Sequence, residues 1–460
     1  MVEAKFIKGS LRRHILVMTF SSSVGLIALF MVDLVDIYFL SLLQNTSITA
    51  AVGFAGNVMM LTISVNIGLM ITMGALVSRS IGARKILRAR RAATNVYVFA
   101  FLLTSVVAAV LLIFLGPILD IMGAAGETKV QAMRYLYILL PSVPLFSLSM
   151  TASGALRGLG DARRAMMVTL IAAVVNAILD PIFIFGLGME IRGAAVATLI
   201  SRLVMVAVAL YGALYIHRLY SPFRVRHFKN YLRRILDIAV PSVLTNIVTP
   251  IGTIYVVALI ATYGDSAVAG VSIINRLAPV VFGVLFSLSG AVGPIFGQNL
   301  GAHNFKRISR TFIRSLQFST IYTGLVALLL FGLQDYIVLA FRATGETADL
   351  IKFFCTWLAL PFVFQAAQFV VNAGFNNLGK PVYATMFNFG KTFIGTIPFA
   401  YFGGLWFGVF GVLAGPSVGA AAFGILASGV LLRYIKNLEI KLGGRKATAK
   451  RSALSRPQVT

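Results

Sequence analysis

What this sequence lacks narrows its class before any motif is read. Acidic residues number 14 in 460 positions, and charged residues of both signs make up 12% of the chain. That is too little polar surface to cover a water-soluble globule of this size. There is one cysteine, Cys355, so the chain can form no internal disulfide and no thiol metal cluster. The four histidines, His14, His217, His227 and His303, fall at the ends of apolar runs or between them, which argues against a histidine relay inside those runs. The sequence has no H-E-x-x-H, no nucleophile motif and no loop of paired acids. A membrane-embedded enzyme such as a lipid transferase is disfavoured on that ground, and neither a catalytic residue nor a cofactor is expected.

What is present is oil: 58% of side chains are hydrophobic and the mean hydropathy is +0.90. Twelve apolar runs, at about 14–43, 49–78, 92–119, 131–153, 164–188, 193–216, 234–262, 267–297, 310–340, 348–375, 381–406 and 410–433, are each long enough to cross a hydrocarbon core of roughly 30 Å. They are continuous rather than alternating, which selects helices over barrel strands. The expected fold is an all-α polytopic membrane protein. Charges before the first run imitate a signal peptide, but no small-residue cleavage site follows, so this run is expected to stay as a helix.

The net charge of +26 takes its meaning from where the charges lie. Taken by segment, 32 of the 40 Lys and Arg fall at the two termini and in alternate loops, against five in the intervening loops. Such asymmetry is the positive-inside pattern of an inner (plasma) membrane protein with both termini in the cytoplasm. It points to anionic lipid headgroups as partners and not to nucleic acid. Arg202, Arg276 and Lys391 fall inside runs and are expected to anchor helices.

Sliding the chain along itself by about 219 residues aligns motif after motif. Leu11-Arg12-Arg13 meets Leu232-Arg233-Arg234, Ile81-Gly82-Ala83 meets Leu300-Gly301-Ala302, Gly126-Glu127-Thr128 meets Gly345-Glu346-Thr347, and Leu159-Gly160 meets Leu378-Gly379. Leu139-Leu140-Pro141 likewise meets Ala359-Leu360-Pro361. Six spans per copy is an even number, so the copies enter the membrane in the same direction, as parallel repeats around a central cleft. The expected organisation is a first lobe over 1–216, a cytoplasmic linker over 217–231, a second lobe over 232–436 and a basic, disordered tail over 437–460. A monomer is expected.

The two copies differ in their buried acids. Asp33 and Asp36 in the first run and Asp180 in the fifth have no acidic counterparts in the second copy, and an acid in a span costs about 2.5–3.5 kcal/mol on insertion scales. Asp33 and Asp36, three apart, share a helix face, as do Asn176 and Asp180, four apart. With the hydroxyl of Thr198, these groups offer oxygens suited to a proton or to Na+, with no other metal implied. Pro181, next to Asp180, is expected to bend its helix. Met150, Met166 and Thr169 are candidates for a cavity surface, with Met as an adaptable apolar contact.

The stretches Ala155-Leu-Arg-Gly-Leu-Gly-Asp161, Asn176-Ala-Ile-Leu-Asp180-Pro181-Ile-Phe-Ile-Phe-Gly186 and Arg192-Gly-Ala-Ala-Val-Ala-Thr198 resemble the multidrug and toxic compound extrusion (MATE) family, closest to its DinF-like prokaryotic branch. Ser80-Ile-Gly-Ala83 and Gly297-Gln-Asn-Leu-Gly-Ala302 are similar as well, so the likeness spans nearly the whole chain. It implies a two-lobe, twelve-helix antiporter that exports small organic compounds, often cationic or amphipathic, against inward Na+ or H+. It also implies a cation site at Asp36, Asn176, Asp180 and Thr198. The chain departs from that pattern at Asp33, where many relatives have Asn, and at Ser21, where relatives often have proline. The alternative in the wider superfamily, a flippase for lipid-linked or oligosaccharide substrates, would call for a strongly cationic cleft, and the acids weigh against it.

Overall fold

The computed structural model describes residues 3–43 and 45–454; for Asp33, Leu34, Ile37, Ser41 and residues 441–454 only the backbone is described. Ten helices among these residues are long and apolar enough to cross a bilayer, and a broken pair, Gly345–Leu358 with Phe362–Leu378, bent by 61°, forms another span. One of the ten, Pro381–Ile440, has 60 residues, about 90 Å if it were straight. It is not straight, because Gly408 has φ 59° and ψ −146° and the chain doubles back there. Gly403 then lies against Gly411, Ala400 against Gly415 and Gly395 against Gly419, the pairing of an antiparallel helical hairpin whose small residues let two backbones touch. Divided at Gly408, the described residues form twelve spans.

In chain order these are α1 (Leu11–Ser41), α2 (Thr46–Gly82), α3 (Ile86–Ile113), α4 (Gly126–Gly158), α5 (Ala162–Gly186), α6 (Glu190–Ile216), α7 (Val225–Ala261), α8 (Asp265–Gly301), α9 (Phe305–Ala340), α10 (Gly345–Leu358 and Phe362–Leu378), α11 (381–407) and α12 (409–440). Their starts follow ordinary capping chemistry. Asn45 accepts from the Ser47 and Ile48 amides ahead of α2, Asp161 from Arg164 ahead of α5, and Asn304 from Arg307 ahead of α9. The tail departs from expectation: the last helix continues to Leu454. Lys, Arg and Ala favour helix, and the first proline, Pro457, comes later. Residues 455–460 lie outside the described residues.

Duplication is visible in the backbone itself. Left-handed turns recur at the repeat distance: Arg84 and His303, Gly123 and Arg342, Gly126 and Gly345, Gly160 and Gly379. Gly160 and Gly379 end α4 and α10 with φ of 81° and 93°, a conformation in which a side chain would be strained. The repeated Leu-Pro pairs mark the interruption of the same two helices, a short 3-10 turn at Leu140–Ser142 in α4 and the 61° bend in α10.

The two six-helix halves meet through α1 and α2 on one side and α7 and α8 on the other. Gly68 abuts Val243, Gly283 abuts Ile27, and Gly82 and Gly301 lie against the backbones of Gln298 and Arg79. Hydrogen bonds between the halves gather at the end that carries the basic loops. Arg79 donates to the carbonyls of Asn376 (2.6 Å) and Asn377 (2.8 Å), and Gln298 Nε2 donates to the carbonyl of Gly158 (2.9 Å). The buried ring of Phe6 anchors the N-terminal strap across this end. The Phe6 amide donates to Gln298 Oε1, and Arg307 donates to the carbonyls of Phe6, Lys8 and Gly9. The basic end is therefore shut.

Candidate functional site

Inside the first half, α1, α5 and α6 converge on one polar cluster. Asn176 Nδ2 donates to Asp36 Oδ1 (2.9 Å) from α1 and to Asp180 Oδ2 (2.8 Å) one turn further along α5. Its other end is held from α6, where Ser201 Oγ donates to Asn176 Oδ1 at 3.0 Å. That bond fixes which way the amide faces, so both of its protons are turned toward carboxylates. Asn176, Asp180 and Ser201 are buried, Asp180 completely, and Asp180 Oδ1 has no hydrogen-bond partner. A buried carboxylate oxygen left without a donor is costly, and it is also a free ligand position for a proton or a small hard cation.

Local sequence explains the convergence. Pro181 supplies no amide proton, and directly after it the helix widens into a π turn over Ile182–Gly186, a distortion that often accompanies function. Gly193 at the start of α6 lies against the backbone of Phe183 in that turn, where a side chain would collide. The close approach brings Ser201 to Asn176.

Of the residues singled out by sequence, Asp36, Asn176 and Asp180 are brought together. The Asp33 side chain lies outside the described residues. Thr198 sits on the correct helix, but its hydroxyl donates to the Ala194 carbonyl (2.9 Å). The hydroxyl that reaches Asn176 is that of Ser201, one turn on. Ser23 donates to the Phe20 carbonyl (2.9 Å), so one of the serines near the missing proline does bond back to its helix, and α1 stays continuous.

Met150, Met166 and Thr169 do not line the small cavity between the halves. Met150 is packed in the apolar core of the first half. Thr169 donates to the Met166 carbonyl and lies against Gly25 of α1, which makes it an α1–α5 contact. A cavity of about 30 Å3 does lie between the halves, among Met70, Gly74, Arg157, Gly290, Asn376 and Asn377. It has room for one or two waters.

Two of the three intramembrane cations, Arg202 and Lys391, have specific places. Arg202 donates to Ser142 Oγ (2.7 Å) and stacks on Phe146 at 4.9 Å, as expected of a structural partner. Lys391 is buried in the second half and donates to Gln365 Oε1 (3.1 Å), where Gln368, Asn372 and Asn388 form a neutral amide network. The halves thus differ in kind, with carboxylates in one and an ammonium among amides in the other.

Outside the membrane, Asp161 joins α4, α5 and α6 at the basic end. It accepts from the His217 ring (2.7 Å) and pairs with Arg164. Burial works to raise its pKa, but the hydrogen bonds from His217 and Arg164 outweigh that and hold the carboxyl below the usual carboxylate range.

Comparison with known proteins follows this architecture. The MatE family model matches residues 22–182 and again 241–402, two stretches that start 219 residues apart. A FAD transporter of Shewanella oneidensis is 28% identical over 413 residues, covering 87% of this chain and 90% of that one. The multidrug export protein MepA of Staphylococcus haemolyticus is 27% identical over 271 residues, 58% of this chain and 59% of MepA. Two solved structures share the fold: a mutant of the Vibrio cholerae MATE transporter VcmN (TM-score 0.88, 24% identity, 93% of this chain and 97% of that one) and an outward-facing multidrug resistance transporter (TM-score 0.88, 23% identity, 95% and 99%). With both halves matched in order over most of the sequence, the chain belongs to the MatE family of membrane transporters and is not an enzyme.

Proposed function

We propose that this protein is a secondary active antiporter that exports small organic compounds in exchange for inward Na+ or H+, with its basic loops and both termini in the cytoplasm. One observation carries the reading: Asn176 is shared between two carboxyl groups, in one half only, while Asp180 Oδ1 remains open. A proton or Na+ entering there neutralises charge between α1 and α5 and draws these helices together. The other face of α1 packs on the second half, through Ile27 against Gly283 and the Thr19 carbonyl accepting from Ser287 (3.1 Å). A shift of α1 at the acids is therefore a shift at the seam, and binding biases which end of the cleft is open. With the basic end shut, the arrangement described is the one that faces outward.

The test is export from proteoliposomes under separately imposed pH and Na+ gradients. Asp36→Asn should abolish ion-driven export while the protein remains folded; unimpaired export by that variant overturns the reading. For the substrate, the length of the match to the Shewanella relative favours a second reading beside drug-like cations: a flavin dinucleotide or similar compound.

A further inference from the structure

Arg157, in the Ala155–Asp161 stretch, carries a charge that the export mechanism leaves unused and that no ion pair among the described residues takes up. It lies near the end of α4, on the first half's side of the seam. Its Nη1 approaches Met70 Sδ at 3.7 Å, and the guanidinium rests on Gly290 of α8, where a β-carbon would come within 2.8 Å of it. Its Nε is buried without a partner, and no carboxylate among the described residues lies within 4 Å of the group. Across the cavity of about 30 Å3, Asn376 Oδ1 and Asn377 Oδ1 are buried and unpartnered too. Waters can satisfy these groups while the seam is shut, but a cationic group kept unpaired inside a membrane protein calls for a function.

We propose that Arg157 is the recognition point for an anionic group, a carboxylate or phosphate, on the exported compound. The proposal rests on the export reading above and specifies its substrate class. The rest of the lining is small or apolar, with Met70, Ile71, Pro294 and Ala373, so it suits a molecule that joins an anionic end to a flat or apolar body. A fixed positive charge there works against a cationic guest. Parting of the halves at the basic end exposes Arg157 to the side from which substrate enters. Closure shrinks the space to one or two waters, which leaves no place for the anionic group and drives its release. The site thus binds in one state and rejects in the other, as net transport requires.

Counterflow in proteoliposomes tests this, because exchange without an ion gradient reads recognition separately from coupling. Riboflavin, FMN and FAD share one ring system and differ in phosphate, and ethidium supplies a cation. The wild-type protein should exchange FMN and FAD in preference to riboflavin. Arg157→Gln should reduce that preference by about tenfold or more, the effect of one charge-assisted contact, while Arg157→Lys keeps most of it. An equal loss for all probes in Arg157→Gln, with Arg157→Lys no better, would mark a structural role and overturn the proposal. So would an unchanged preference, or a wild-type protein that exchanges ethidium but neither phosphorylated flavin. Loss of ion-driven export in Asp36→Asn with flavin preference intact would support both readings independently. Failure to exchange any probe removes the export reading and this one with it.

Discussion

Gly82 of α2 lies backbone to backbone against Gln298 of α8, so close that a β-carbon on Gly82 would overlap the Gln298 carbonyl. Gly301 meets the Arg79 carbonyl in the same way, and Gly297 lies against the Ser78 side chain. Gly82 on α2, with Gly297 and Gly301 one turn apart on α8, lets the two helices approach closely at this seal. Gly82→Ala forces a few tenths of an ångström or more into a contact that has no flexible partner, and it should shift the resting population toward opening at the basic end. In a background with Cys355→Ala, a cysteine at Ser78 should react with a maleimide at least several-fold faster when Gly82 is Ala. Equal rates would show that the seam is not set by this contact.

Ser201 orients Asn176, and Asn176 in turn faces the two acids. Ser201→Ala removes a bond of about 1 kcal/mol and frees the amide to turn over, which would point its oxygen at a carboxylate. Ion-driven export should fall roughly fivefold, and counterflow, which needs no ion, should change little. An equal fall in both would place Ser201 in general packing and not in the cation cluster.

The sequence carried the membrane class, the twelve spans and the duplication because each rests on local, repeated signals: long apolar runs, alternating loop charge, and glycines at positions such as Gly160 and Gly379 whose backbone needs recur. It carried Asp36, Asn176 and Asp180 because acids in oil stand out. It did not carry Ser201, since serines are common in these helices and nothing local distinguishes the one that crosses between α6 and α5. Nor did it reveal the seam. Arg157 and Asn376 are 219 residues apart, and that a small cavity brings them together follows only from how the two halves close. The places of Met150 and Thr169 were not legible for the same reason: the facing of such adaptable or polar residues depends on packing among helices, which a single helix period does not decide.

Arg307 holds the N-terminal strap at three carbonyls, those of Phe6, Lys8 and Gly9, at 2.8–2.9 Å, beside bonds to Phe6 from Gln298 and Asn299, with Phe6 2% exposed beneath. These bonds tie a segment preceding α1 to α9 of the other half and so add to the contacts that hold the basic end shut. Arg307→Gln should therefore weaken that state by about 1.5–3 kcal/mol, the range for hydrogen bonds from a charged donor, and raise proteolysis of the strap from the basic-loop side. Protection equal to wild type would mean the strap is kept in place by Phe6 packing and its bonds to Gln298 and Asn299.

Asp161 gives a prediction in pH. Its carboxyl titrates below the ordinary range in the folded protein because the hydrogen bonds of His217 and Arg164 outweigh the effect of its burial. A depressed folded pKa means the contribution to stability is fully present above the unfolded value, about 3.9, and is lost as pH falls through the lower, folded one. The difference in thermal stability between wild type and Asp161→Asn in detergent should then be flat from pH 7 to pH 5 and shrink only below about pH 4. At neutral pH the variant should be less stable by about 1–3 kcal/mol, since it leaves the buried partners of the carboxylate incompletely paired. A difference that already collapses near pH 6 would show that the carboxyl of Asp161 does not govern the contact between α4, α5 and α6.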